Sequence, residues 1–403
     1  MRFVSVALRQ VRGSARSISR RYREARMVVH AFRSGNHPVA AHLIVTRRCN
    51  LSCSYCNEYD NFSAPVEFAL LERRIARLAE LRTTIITLSG GEPLLHPELE
   101  RIIATIRRHG ILATLLTNGT LLTPDTIKML NRAGLHQLQI SIDQIRPDKN
   151  SRKCLQVLDR KLEILAEYAE FEVNINTVLG GLLNRPQDAL AIAQRAKRLG
   201  FSGTVGLIHD GNGQAIALTP EQRETLKKIV ALNKPFYSAA RYDRFQENLA
   251  AGKPNDWHCR AGSRYLYVCE DGLVHLCSQQ RGYPAIPLEH YTARDFDREY
   301  HSRKSCSPFC TISCVHKVAM LDKFREAPLE ALLDLSEAYG RGRSLDNLPR
   351  AVRFLTWMFL TGRGRQFWTK AAVRLFGVDT PSESAARKLP VIQKPLTGST
   401  DLD

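Results

Sequence analysis

Six short apolar runs, each followed by a stretch of helical periodicity, constrain this chain more than any other feature. The runs are Leu43–Val45, Ile85–Leu88, Ala113–Leu116, Leu138–Ile142, Val173–Val178 and Val205–Ile208. The helical patterns between them cover about 66–80, 97–108, 123–133, 153–168 and 187–199. Strands that alternate with helices of this length require right-handed crossovers and hence a parallel sheet. The span of about 170 residues is short for a closed eight-stranded barrel and suits an open one. The expected fold class is therefore α/β, a partial (β/α)6 barrel. Breaks follow the strand ends at Ser89-Gly90-Gly91, Asn118-Gly119 and His209-Asp210-Gly211. Those ends are where parallel α/β folds build their sites. Past a helical stretch at 220–251, Tyr265–Val268 and Leu273–Leu276 flank Glu270-Asp271-Gly272 and read as a β-hairpin.

Nine of the ten cysteines fall into two groups. Cys49, Cys53 and Cys56 form C-x3-C-x2-C just after the first strand. Soft thiolates select iron–sulfur clusters or zinc, and a structural zinc site takes four protein ligands. Here the local set stops at three, which leaves one iron of a cubane open to a substrate's amino and carboxylate groups. Tyr55 adds a flat ring beside the last cysteine. The second group is Cys259, Cys269, Cys277, Cys306, Cys310 and Cys314, whereas Cys154 stands alone on a helical pattern and reads as a small core residue.

With these residues in place, the chain resembles the radical SAM superfamily over roughly 41–210. Cys49–Cys56 follows strand one, Ser89-Gly90-Gly91-Glu92-Pro93 follows strand two, and Thr117-Asn118-Gly119 follows strand three. Ser141 and Asp143 alternate onto one face of strand four. The resemblance implies a [4Fe–4S] cluster on Cys49, Cys53 and Cys56 with S-adenosylmethionine (SAM) on its open iron. It implies that Tyr55 packs near the adenine, that Gly90, Gly91, Glu92 and Pro93 meet the methionine group with Glu92 on its ammonium, and that Ser141 and Asp143 meet the ribose. Asn118 joins this cofactor-binding set through the same resemblance, and Asn176 joins it as a polar side chain that shares one face of strand five with Asn174. The implied reaction is reductive cleavage of SAM to a 5′-deoxyadenosyl radical that attacks a substrate. The electron would come from a carrier such as flavodoxin or ferredoxin.

Cys259-x12-Gly272-x4-Cys277 resembles the opening of a SPASM or twitch extension and implies one auxiliary [4Fe–4S] cluster. Its expected ligands are Cys259 and Cys277 with Cys310 and Cys314, and Cys269 and Cys306 are the alternatives. Structural zinc is the rival for this group. The spacing of Cys306, Cys310 and Cys314 fits one helical face. His258, His275 and His316 flank these cysteines and read as packing residues.

Net charge is +18, and residues 1–34 and 341–377 carry fifteen of it, so the catalytic middle is near neutral. Apolar stripes beside Arg in both segments predict basic amphipathic helices, which suit an anionic membrane surface or docking on the barrel. No recognised nucleic-acid motif accompanies the charge, so no nucleic-acid partner is expected. No secretory signal is evident, and thiolate ligands suit a reducing cytoplasm, with peripheral attachment to the inner face of the membrane as the further expectation. Residues 1–33, Arg-rich and acid-poor, share the composition of a mitochondrial presequence. The expected organisation is a basic N-terminal helix (1–38), the barrel (39–235), the auxiliary-cluster domain (236–325), basic C-terminal helices (326–379) and a disordered tail (380–403). The leading substrate reading is a small or lipid-like, membrane-associated molecule. A peptide or protein maturase is the alternative, and a non-catalytic iron–sulfur carrier the third.

Overall fold

The computed structural model describes residues 23–24, 27, 29–32, 34–56, 58–148, 151–181, 185–209, 215–232, 243–338, 342, 344–348, 350, 353 and 391–392. The expected amphipathic stripes at the two termini lie largely outside these residues. Within the tail expected to be disordered, Val391–Ile392 pairs in parallel with Arg303–Lys304. No helix among the described residues is long and apolar enough to cross a membrane.

The barrel follows the alternation read from the sequence. Its elements are β1 (Ala40–Thr46), α1 (Phe68–Glu80), β2 (Ile85–Gly90), α2 (Leu99–Arg108), β3 (Leu112–Thr117), α3 (Pro124–Ala133), β4 (Gln137–Ser141), α4 (Leu155–Tyr168), β5 (Glu172–Leu179), α5 (Pro186–Arg198) and β6 (Ser202–Leu207). Helices α6 (Pro220–Leu232) and α7 (Asp243–Ala250) follow. Strands β1 to β6 are parallel neighbours in chain order. The hairpin β7 (Tyr265–Val268) and β8 (Leu273–His275), with β9 (Pro284–Pro287), continues the same sheet. Strand β7 lies parallel to β1, on the side opposite β2. The order is thus β6-β5-β4-β3-β2-β1-β7-β8-β9, an open sheet of nine strands. Helices α8 (Ala293–His301), α9 (Ser313–Glu326) and α10 (Pro328–Ala338) complete the described chain.

Period-two alternation divides the barrel strands into an apolar and a polar face. Leu43, Val45, Ile86, Leu88, Ala113, Leu115, Leu138, Ile140, Val173 and Ile175 pack with helix residues such as Leu71, Ile75, Ile102 and Ile106 in one buried core. The opposite face is hydrogen-bonded across the strands. Thr87 Oγ1 meets Thr114 Oγ1 at 2.7 Å, Asn174 Nδ2 donates to Gln139 Oε1 at 3.1 Å and to Thr204 Oγ1 at 2.8 Å, and Thr204 Oγ1 donates to Asn176 Oδ1 at 2.9 Å. Each buried polar group there finds a partner on the next strand, which removes most of the penalty for burying it.

A buried ion pair ties the C-terminal part to the barrel. Arg264, just before β7, places Nε 3.1 Å from both carboxylate oxygens of Asp322 on α9, and both side chains are fully buried. Its other nitrogens donate to the carbonyl oxygens of His37 (2.6 Å) and Ala31 (2.7 Å). Five donors in a rigid fork allow one guanidinium to satisfy all these acceptors.

Candidate active site

The first cysteine loop sits at the C-terminal end of β1, closed at its base by Asp60. The amide of Asp60 donates to the Arg47 carbonyl at 2.9 Å, and the Cys49 amide donates to the Asp60 carbonyl at 3.2 Å. The Asp60 carboxylate accepts from the Ser63 amide and hydroxyl at 2.9 and 2.6 Å. Cys49 is half-buried, Cys53 buried and Cys56 exposed, and none forms a disulfide. Burial pushes the half-buried Cys49 thiol above its usual range.

Backbone crowding by this loop requires the glycines at the end of β2. A Cβ on Gly91 would lie 2.3 Å from the carbonyl oxygens of both Arg47 and Arg48, and one on Gly90, whose φ is +131°, would lie 2.0 Å from that of Thr46. The amides of Gly91 and Glu92 donate to the Thr46 and Arg48 carbonyls at 2.9 Å each. Glu92 is held by its own neighbours. Its side chain is fully buried, and it accepts from Thr117 Oγ1 (2.7 Å), the Asn118 amide (2.8 Å) and the Leu94 amide (3.0 Å). Burial holds its carboxyl above the usual range. Glu92 therefore braces the end of β2 against β3 and caps the turn that Pro93 begins.

Asn118 reaches the same loop. Its Nδ2 donates to Asn50 Oδ1 at 2.8 Å and lies 3.8 Å from Cys49 Sγ. Beyond β4, Asp143 Oδ2 accepts from the Tyr55 hydroxyl (2.5 Å) and the Ser151 hydroxyl (2.6 Å) and lies 3.3 Å from Lys153 Nζ. Ser151 Oγ is 3.7 Å from Cys53 Sγ. Burial works against the Lys153 ammonium, but Asp143 and Tyr55 outweigh it and hold its pKa up. Asp143 thus ties Tyr55, next to Cys56, to the end of β4. Ser141 is half-buried on the same strand.

A cavity of about 370 Å³ lies on the polar face of the sheet. Tyr55, Cys56 and Ser89 line one part, Gln139, Asn176 and Thr204 another, and Tyr265, Ile312 and Cys314 the side towards the second cysteine group. His42 of β1 also lines it, and burial lowers this imidazole to about 4. Sequence reasoning missed His42, although it is the one polar side chain inside Ala40–Val45. Gln279 Nε2 meets His209 Nε2 at 2.7 Å, which joins the end of β6 to the loop after Cys277. Asn174 lies within the cross-strand network and is absent from the cavity wall, whereas Asp210 lies outside the described residues.

In the second group, negative charge on Cys259, Cys277 and Cys306 adds to burial in raising the Cys310 thiol, and Cys277 feels Cys259 and Cys306 in the same way. Cys314 is set apart. It takes a hydrogen bond from the Tyr265 hydroxyl and faces the cavity. Cys259, Cys277 and Cys306 are the cysteines whose charge bears on the Cys310 thiol. The helical face expected for 306–314 does not form. Ser307–Phe309 is a short 3-10 turn with Pro308 in its first turn, the chain leaves it in extended backbone at Cys310, and α9 starts only at Ser313. Trp257 Nε1 donates to the Ser307 carbonyl at 2.7 Å and fixes that turn. Cys269 is buried on the hairpin, His316 packs against Phe245 and Trp257, and Cys154 is buried at the start of α4.

The thiol spacing bears on what each group can hold. Zinc bound to thiolates at about 2.3 Å brings the sulfurs within about 3.8 Å of one another. Among the described residues, the one set of three ligand atoms lying within 4.8 Å of one another is Cys269, Asp271 and His275. Cys49, Cys53 and Cys56 do not form such a set.

The family model described as the radical SAM superfamily matches residues 43–217. The PqqA peptide cyclase of Ruegeria pomeroyi is 30% identical over 271 residues, 63% of this chain and 71% of that protein. The chain belongs to the radical SAM superfamily. Its members are enzymes, and the fold implies a [4Fe–4S] cluster and SAM. The AdoMet-dependent heme synthase of Methanosarcina barkeri is 35% identical over 143 residues, but the match spans 34% of this chain and 41% of that one. The crystal structure of Streptococcus suis SuiB bound to precursor peptide SuiA has the same fold, with a TM-score of 0.50 and 14% identity over 75% of this chain and 77% of that one.

Proposed function

We propose that Cys49, Cys53 and Cys56 hold the superfamily's [4Fe–4S] cluster and that the enzyme acts on a polar group presented in the cavity beside them. The observation that carries this reading is that cavity. Tyr55 and Cys56 form one wall and Cys314 and Ile312 the other, so a bound substrate sits between the two cysteine groups. Together the cluster and SAM supply reductive cleavage of a carbon–sulfur bond to a 5′-deoxyadenosyl radical. The protein's own part is to orient and to exclude water. Asp143 fixes the Tyr55 ring beside Cys56, Asn118 steadies Asn50 and Cys49, and Gly90, Gly91 and Pro93 hold the loop where SAM binds. Ser141 and Asn176 line the same face of the sheet. In this reading Cys259, Cys277, Cys306 and Cys310 hold one auxiliary [4Fe–4S] cluster.

His42, Gln139, Asn176, Thr204 and Gln279 put polar groups into a wall that Leu116, Ile229, Val230 and Phe245 make partly apolar. That mixed lining suits a small molecule with both polar and apolar parts. A peptide substrate is the second reading, supported by the extended similarity to a PqqA peptide cyclase. Formation of 5′-deoxyadenosine from SAM and a strong reductant tests the proposal. Cys53→Ala is expected to abolish it, and undiminished product from that variant would overturn the assignment.

A further inference from the structure

The β7–β8 hairpin brings three different ligand types together within seven residues. Cys269 lies just past the end of β7, Asp271 in the turn and His275 at the end of β8. Pairing of Tyr267 with His275 and of Val268 with Val274 sets the register, and the Cys269 amide donates to the Leu273 carbonyl at 3.0 Å. Cys269 therefore stands diagonally from His275 on one face, within side-chain reach. The ligand atoms of Cys269, Asp271 and His275 lie within 4.8 Å of one another, with Cys269 and His275 buried and Asp271 exposed.

The surroundings hold this arrangement in place. Arg74 Nη1 donates to the carbonyls of Cys269 (3.3 Å) and Glu270 (3.0 Å), which braces the turn from α1. The Gly282 amide donates to His275 Nδ1 at 3.0 Å, which orients the ring and leaves the lone pair on Nδ1. Asp271 Oδ1 accepts from the Leu273 amide at 2.9 Å. The nearby Arg281 is paired with Glu270, at 3.1 and 3.2 Å from the two carboxylate oxygens.

We propose that Cys269, Asp271 and His275 form a mononuclear zinc site, separate from the thiols assigned to iron under the proposed function. A thiolate, an imidazole and a carboxylate are together the donor set of Zn²⁺ rather than of Mg²⁺ or Ca²⁺. Ligands at about 2.0–2.3 Å from zinc lie about 3.3–3.8 Å apart, so a small side-chain adjustment closes the site. Binding releases the Cys269 thiol proton to solvent, and the ion replaces the Gly282 amide as partner of the Nδ1 lone pair. Thiolate and carboxylate neutralise the dication, and a water fills the fourth position on the exposed Asp271 side. The ion clamps the turn between Cys259 and Cys277, two residues short of Cys277.

The test uses the full chain, reconstituted anaerobically with iron and sulfide, exposed to zinc and desalted. Metal analysis is expected to give one zinc per chain in addition to iron. X-ray absorption at the zinc edge is expected to show one sulfur and otherwise nitrogen and oxygen neighbours. His275→Gln keeps an acceptor for the Gly282 amide, so the hairpin survives, and it is expected to lower zinc at least tenfold with iron and sulfide unchanged. Absence of zinc from the parent protein, zinc unaffected by His275→Gln, or a zinc shell of sulfur alone would each overturn the proposal. So would a loss of about four irons from Cys269→Ser, which would make Cys269 a cluster ligand.

Discussion

Replacing Gly91 with alanine adds one methyl group, and the structure shows what that group must displace. The new Cβ would stand 2.3 Å from two carbonyl oxygens, Arg47 and Arg48, and 2.6 Å from the Arg48 carbonyl carbon. That is roughly 0.7 Å inside the 3.0 Å that Cβ atoms keep from other heavy atoms. Both obstacles are backbone, so no side chain can swing aside. The strand ends must separate, and the two 2.9 Å hydrogen bonds from Gly91 and Glu92 to Thr46 and Arg48 lengthen or break. At about 1 kcal/mol net for each bond, the fold loses about 2 kcal/mol, which is tolerable for a domain of this size. The larger effect is local, because Arg48 directly precedes Cys49. A shift of the loop by that amount spoils convergence of the three thiols while the second group, on another part of the sheet, stays put. Gly91→Ala is therefore expected to fold, to retain about four irons per chain instead of about eight, and to form no 5′-deoxyadenosine. Iron and sulfide analysis with a thermal melt reads all three. Full iron content with an unchanged melt would refute the claim that backbone crowding, not ligand contact, dictates this glycine.

Cys306→Ser is expected to cost about four irons per chain and Cys314→Ser none, and the reverse pattern would restore the helical-face reading. Asp322→Ala leaves the buried Arg264 guanidinium without its counter-ion and is expected to destabilise the chain by about 3–5 kcal/mol in chemical denaturation. A change below 1 kcal/mol would show the pair to be dispensable. Burial, helped by Arg264 at His37 and by Lys323 and Lys317 at His316, lowers these two imidazoles to about 3, and burial alone lowers His42 to about 4. All three rings stay neutral in the fold but take protons in the unfolded chain below about pH 6.5. Stability should then fall with acidification from about 6.5 towards 4, by up to about 1.4 kcal/mol per pH unit for each histidine. Denaturation midpoints that stay flat between pH 6.5 and 5 would contradict this.

The strands and helices of the barrel were legible because each strand keeps one face against a helix layer, and that face writes an apolar run into the sequence. The other face was only partly legible. Asn174 and Asn176 stood out, but Thr87, Thr114 and His42 are ordinary strand residues until their cross-strand neighbours are known. The backbone crowding at Gly91 and the buried hydrogen bonds of Glu92 were not legible, because sequence spacing does not show which neighbouring backbone a glycine or carboxylate meets. The helical spacing of 306–314 misled because the chain leaves the 3-10 turn in extended backbone at Cys310 and helix resumes only at Ser313. The Arg264–Asp322 pair spans 58 residues and leaves no local signal.

Electron paramagnetic resonance of the anaerobically reduced, reconstituted chain, recorded with and without SAM, tests the central claim most directly. If Cys49, Cys53 and Cys56 leave one iron for SAM, the spectrum changes when SAM is added, and that change is absent from Cys53→Ala. Identical spectra with and without SAM in the parent protein would contradict the account.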